Sequence, residues 1–111
     1  MTTTPEGKVK EKVKLLLSAY KNVYWFMPVQ SGFGAAGLDF HCAAAYGGQL
    51  YAFFIETKAP GKKPTDRQNI LIGRLKLLGA KVFVIADDVG LRRLETWLDK
   101  LQQPPTSVLP S

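Results

Sequence analysis

Apolar positions Val9, Val13, Leu16, Leu17 and Tyr20 recur at i, i+4, i+7, i+8 and i+11, one stripe along a helix. Thr4 suits its N-cap and Pro5 its first turn, while Lys8, Lys10, Lys12 and Lys14 make the flanks basic. The helical period then stops. Residues 23–29, Val-Tyr-Trp-Phe-Met-Pro-Val, read as a strand, and Pro28, which cannot donate to a ladder, places it at an edge or a strand end. A glycine-rich loop over residues 31–37 follows, then two strand-like runs, 38–46 and 49–59, joined by Gly47-Gly48, the signature of a tight two-residue hairpin. The basic loop Pro60-Gly61-Lys62-Lys63-Pro64 leads to a second helix, with Thr65 at its cap, Gln68 as capping-box partner and a stop at Gly79. Residues 81–86 form a short strand reached through that helix, hence parallel to the previous one with a right-handed crossover. A third amphipathic helix covers about 91–102.

The expected class is therefore α/β: a mixed sheet of about four strands flanked by helices, in the order αβββαβ plus a C-terminal helix. A length of 111 residues fits one domain, over residues 1–102, with the proline-rich stretch 103–111 as a loose tail. That length excludes a TIM barrel or a complete two-half dinucleotide fold, and a 46% hydrophobic content excludes wholesale disorder. A lone cysteine, Cys42, forms no internal disulfide and fits a reducing cytoplasm; the first residues carry no signal pattern, and no apolar run is long enough to span a membrane. Charge is uneven. Residues 1–81 carry 12 basic and 5 acidic side chains, net +7, whereas residues 82–111 carry 3 and 4, net −1. Such basicity suits either a polyanionic partner such as nucleic acid or a merely solvated surface.

If Gly47-Gly48 is the turn, residues paired across the hairpin have numbers summing to 95, and Asp39 and Glu56 do so. They would stand opposite each other on one face with Cβ atoms about 4.5–5.5 Å apart. Two bare carboxylates at ~5 Å repel by roughly 3 kcal/mol at an effective dielectric near 20, so a proton or a cation is expected between them. Lys58 projects from the same face as Glu56, while Tyr51, Phe53, Ile55 and Thr57 point to the other. The all-oxygen pair suits a hard divalent ion, Mg²⁺ or Mn²⁺; the competing reading is a surface Glu–Lys patch with a bulge in the register.

Other residues carry bland readings of their own. Glu6 borders the buried stripe of the first helix but also suits the helix dipole, and Glu11 falls on the solvent side. Gln68 has its capping role yet shares a face with Leu71, Leu75 and Leu78. Gln30, just before the glycine-rich loop, is equally ambiguous. His41 reads as a neighbour of Asp39 rather than a ligand, and Cys42 as core. Gly32 to Gly37 matches G-x-G-x-x-G, but the nine residues before Gly47-Gly48 leave no room for the helix that motif needs, and Gly61-Lys62-Lys63 lacks the rest of a P-loop.

Asp39, then Glu56-Thr57-Lys58 at a strand end, then Gln68 in the following helix resembles the PD-(D/E)XK nuclease superfamily. More narrowly, Pro5-Glu6-Gly7-Lys8-Val9-Lys10, Gly37-Leu38-Asp39 and the run from Ile55 to Gln68 resemble the VRR-NUC branch, whose small stand-alone members are typical of bacteriophages. The resemblance covers about residues 5–87, with Leu38 where the family usually has proline. It implies a restriction-endonuclease-like core and a catalytic set of Glu6, Asp39, Glu56, Lys58 and Gln68. It further implies a Mg²⁺ or Mn²⁺ held by Asp39, Glu56 and the backbone carbonyl of Thr57, with Lys58 at the attacking water and Glu6 one shell out. Lys62, Lys63 and Arg67, extended by Lys8, Lys10 and Lys12, would hold the DNA backbone. The expected activity is structure-selective DNA cleavage of junction or flap type by a homodimer. A catalytically inactive nucleic-acid-binding module is the alternative, and nucleotide binding through the glycine-rich loop a third reading.

Overall fold

The computed structural model describes residues 4–29 and 37–102. Gln30, most of the glycine-rich loop and the proline-rich C-terminal stretch lie outside the described residues, so the expectations attached to them do too. Helix α1 spans Pro5–Ser18, with the Thr4 side chain accepting from the Gly7 amide. Strands β1 (Val23–Phe26), β2 (Phe40–Tyr46) and β3 (Gln49–Thr57) follow, then α2 (Asp66–Leu77), β4 (Lys81–Ile85) and α3 (Asp88–Lys100). The sheet order is β1-β2-β3-β4: β1 pairs antiparallel with β2 and β2 with β3, and β4 runs parallel to β3. This is the expected αβββαβα layout, an α/β fold on a mixed sheet. Among the described residues no helix is long and apolar enough to cross a membrane.

Local chemistry accounts for each boundary. Gly47 and Gly48 both take positive φ, 60° and 80°, as a two-residue turn matching the twist of a hairpin requires. The register follows: Tyr46 pairs with Gln49 and Phe40 with Ile55. β1 ends at Phe26, before Pro28, and occupies one edge of the sheet. α3 begins three residues earlier than the apolar pattern suggested, because the Asp87 side chain accepts from the Gly90 amide at 2.9 Å and caps an extra turn.

The core lies on one face of the sheet. Val9, Val13 and Leu17 of α1 and Leu94 and Leu98 of α3 pack onto Phe40, Cys42, Ala44, Phe53, Ile55 and Ile85. Cys42 is buried there, as expected, and desolvation pushes its thiol up to about 12. α2 lies towards the other face and buries Ile72; its Gln68 reaches Glu56, which alternates with the core-facing Ile55.

Two glycines inside helices make opposite demands. A Cβ at Gly90 would sit 3.3 Å from the backbone of Ile85, where α3 approaches β4, whereas one at exposed Gly73 in α2 would meet nothing within 4 Å. Thermal denaturation should therefore show Gly90→Ala destabilising by about 1–3 kcal/mol through overpacking, and Gly73→Ala stabilising by about 0.5–1 kcal/mol through helix propensity.

Candidate active site at the end of strand β3

Glu56 and Thr57 are the last residues of β3, and they are the buried polar residues of the sheet. Glu56 is only 3% exposed. A carboxylate so far from water needs donors, and each neighbouring element sends one. The Asp39 amide donates to Oε1 at 3.2 Å, Gln68 Nε2 donates to Oε2 at 2.8 Å, and Lys58 Nζ stands 3.4 Å from Oε2. Burial pushes the Glu56 carboxyl up to about 7, and the nearby Asp39 charge pushes the same way; Lys58 and the Asp39 amide pull against them.

Asp39 occupies a bend just before β2, and this corrects the expectation of a simple cross-strand pair. The ladder ends at Phe40–Ile55, one residue short of it. Released from sheet geometry, Asp39 turns its backbone amide to Glu56 and its Oδ2 to Thr57, accepting from the amide at 2.9 Å and from Oγ1 at 2.6 Å. Repulsion between the acids is thus offset partly by an N–H donor, in addition to the proton or cation that the sequence suggested. Fully buried Leu38 anchors the approach to this bend.

Gln68 fulfils both of its readings at once. Its Oε1 accepts from the Thr65 amide at 3.0 Å and its own amide donates to Thr65 Oγ1 at 3.2 Å, closing the capping box. With the oxygen used in the cap, the NH₂ end is aimed at Glu56. Glu6 joins at one remove: Lys10 Nζ lies 3.4 Å from Glu6 and 3.7 Å from Asp39, bridging α1 to the site.

Five expected residues are linked by direct contacts, Asp39, Lys58 and Gln68 to Glu56 and Thr57 to Asp39, and Glu6 reaches them through Lys10. Lys10, expected on the DNA-binding flank, also stands beside the pair, between Glu6 and Asp39; its i, i+4 spacing from Glu6 was the available signal. The Thr57 side chain as a partner of Asp39 was missed, because strand alternation pointed it to the far face. Lys12 pairs with Asp88 at 3.1 Å on the surface, Lys8, Lys62, Lys63 and Arg67 are exposed, and Glu11 is exposed and paired with Lys14. His41 is wedged edge-on between Phe26 and Phe54, and burial lowers its pKa.

The donor set bears on the kind of ion the pair can hold. Among the described residues no group of three or more His, Cys, Asp or Glu side chains converges. Two carboxylates at a strand end instead match an ion that keeps several waters and takes further oxygens from a phosphate, as Mg²⁺ does. The residues present fit that ion, with Lys10 and Lys58 balancing the charge. No protein-family model and no curated protein matches this chain.

The raised Glu56 pKa makes stability pH-dependent in a defined direction. The folded state binds this proton more tightly than the unfolded chain, so its contribution is complete below the ordinary carboxyl value and is lost as pH rises through about 7. The full span is worth about 3 kcal/mol. Without divalent ions, urea denaturation between about pH 5 and pH 8 should show wild type losing stability relative to Glu56→Gln. In Asp39→Asn the Glu56 titration, followed by carbon NMR, should move to lower pH.

Proposed function

We propose that this chain is a Mg²⁺- or Mn²⁺-dependent deoxyribonuclease of the PD-(D/E)XK superfamily, VRR-NUC branch, hydrolysing phosphodiester bonds in branched or otherwise structured DNA. One observation carries the reading. Asp39, Lys58 and Gln68 come from three separate segments and converge on the buried Glu56 carboxylate. A carboxylate pair with an adjacent ammonium is the equipment that phosphodiester hydrolysis needs.

Asp39 and Glu56 would hold the ion, with the Thr57 carbonyl as the family resemblance implies. When bound, a divalent ion supplies polarisation of the phosphate and acidification of water at neutral pH. Lys58 sets a positive charge beside the pair, where it steadies the attacking oxygen and the charge that develops on the phosphate. Gln68 fixes the Glu56 carboxylate so that its lone pairs keep one orientation. Glu6 holds Lys10 against Asp39 and so acts on the site without touching the substrate.

The exposed cations Lys8, Lys62, Lys63 and Arg67 would hold the DNA backbone. Lys12 can join them, since an exposed ion pair such as Lys12–Asp88 is worth little and opens readily. Phosphate contacts carry no base identity, which favours selection by DNA shape over sequence. Paired cuts on a four-way junction need two sites, hence a homodimer, and a bacteriophage origin would place the enzyme in the host cytoplasm.

Purified protein is to be incubated with labelled four-way-junction, flap, single-stranded and linear duplex DNA in Mg²⁺, Mn²⁺ or EDTA. Cleavage should require the metal and vanish in Glu56→Ala. Lys58→Ala should lose about 10²- to 10³-fold in rate, as for removal of a charge-stabilising group, while DNA affinity is retained. Tight binding without cleavage under either metal would instead establish the inactive binding module.

A further inference from the structure

The face of the sheet that carries Glu56 is only partly covered. Among the described residues α2 packs against β4 on this face, while on β1 Tyr24 is 67% and Phe26 45% exposed. Neither ring is an isolated surface residue. Phe26, His41 and Phe54 are successive ladder partners across β1, β2 and β3, so they form one rung. Ring centroids are 5.4 Å apart for Phe26–His41 and 5.1 Å for His41–Phe54, both edge-on, with Tyr24 a further 6.2 Å from Phe26. The half-buried His41 thus packs directly against Phe26, with Phe54 on its other side. His41 stands two residues from Asp39 and Phe54 two from Glu56, so the rung lies about 7 Å along the strands from the carboxylates.

The positive charge near this face comes from α2 rather than from the strands. Residues 23–26 and 38–57 contain no Lys or Arg, and no acid besides Asp39 and Glu56. Arg67 and Arg74 of α2 line a concavity of about 400 Å³ with Ile70, Leu71 and Gly37, two residues before Asp39. A second copy of this chain would bring like charges together here, whereas a polyanion is complementary. Duplex DNA hides its base faces in the stack; an unpaired strand offers them to aromatic rings, whatever its sequence.

We propose that Tyr24 and Phe26 form a stacking platform for unpaired bases of a nucleic-acid strand whose backbone passes Arg67 and Arg74 to the Asp39–Glu56 pair. The inference deepens the nuclease reading and rests on it for the purpose of the strand's path. It gives shape selection a physical basis: a substrate with unpaired nucleotides beside the scissile phosphate gains contacts that a continuous duplex cannot make.

Binding is to be measured in EDTA, where no cleavage occurs, by fluorescence anisotropy with a labelled oligothymidine of about 12 nucleotides, and with a duplex of the same length. Tyr24→Ala and Phe26→Ala should each weaken single-strand binding about tenfold and leave duplex binding unchanged. Tyr24→Phe, which keeps the ring, should bind as wild type, and melting temperatures identify any variant that fails to fold. Because Tyr24 is largely exposed, its variants remain informative if Phe26→Ala unfolds. Unchanged single-strand affinity in Tyr24→Ala, or an equal loss for duplex, overturns the platform. So does a dimer in size-exclusion chromatography that Tyr24→Ala dissolves with no loss of affinity, which assigns the face to a second copy. Failure of the nuclease reading shows separately, as absence of metal-dependent cutting with the stacking contribution intact.

Discussion

A carboxylate that is almost wholly out of water governs this small fold. Glu56 sits at the end of β3, and its desolvation must be offset by donors. Three segments supply them: the bend before β2 through the Asp39 amide, α2 through Gln68, and the chain leaving β3 through Lys58. The hairpin register, the place where α2 begins and the departure of Asp39 from the ladder therefore meet in one hydrogen-bonded group. Changing any of them leaves a buried charge short of a partner.

Gln68 shows how stability and chemistry share a side chain. The capping box takes its carbonyl oxygen and so leaves its NH₂ group aimed at Glu56. Local helix stability thus orients a group in the site, and the helix start is defined by the same residue that serves the carboxylate. Lys10 does a similar double service on the opposite side, as an i, i+4 partner of Glu6 within α1 and as a counter-charge to Asp39.

Several of these relations were legible in the residues. The Gly47-Gly48 turn fixes the hairpin register, because side-chain alternation leaves no intermediate option, and that register brings position 39 to position 56. The Thr65/Gln68 capping box marks the helix start to the residue. The Lys10–Asp39 contact was not legible, because a lysine on a basic helix flank carries no mark of which distant acid it will meet. The Thr57–Asp39 hydrogen bonds were invisible for a related reason: they exist because Asp39 leaves the strand, and strand periodicity cannot report its own end.

Taken alone, the sequence determined what depends on neighbours in the chain: the order and type of the elements, the hairpin register, the caps, and hence the coarse α/β fold with two acids and a lysine near one strand end. Those features follow from short-range periodicity, turn geometry and capping, which act over a few residues. Only the tertiary structure decided how deeply Glu56 is buried, that its proton is held to about pH 7, and that Lys10 bridges α1 to Asp39. It alone left Tyr24 and Phe26 uncovered beside the site. Burial and electrostatics depend on which distant segments crowd a group or leave it open to water, and that is a property of the packed molecule rather than of any stretch of chain.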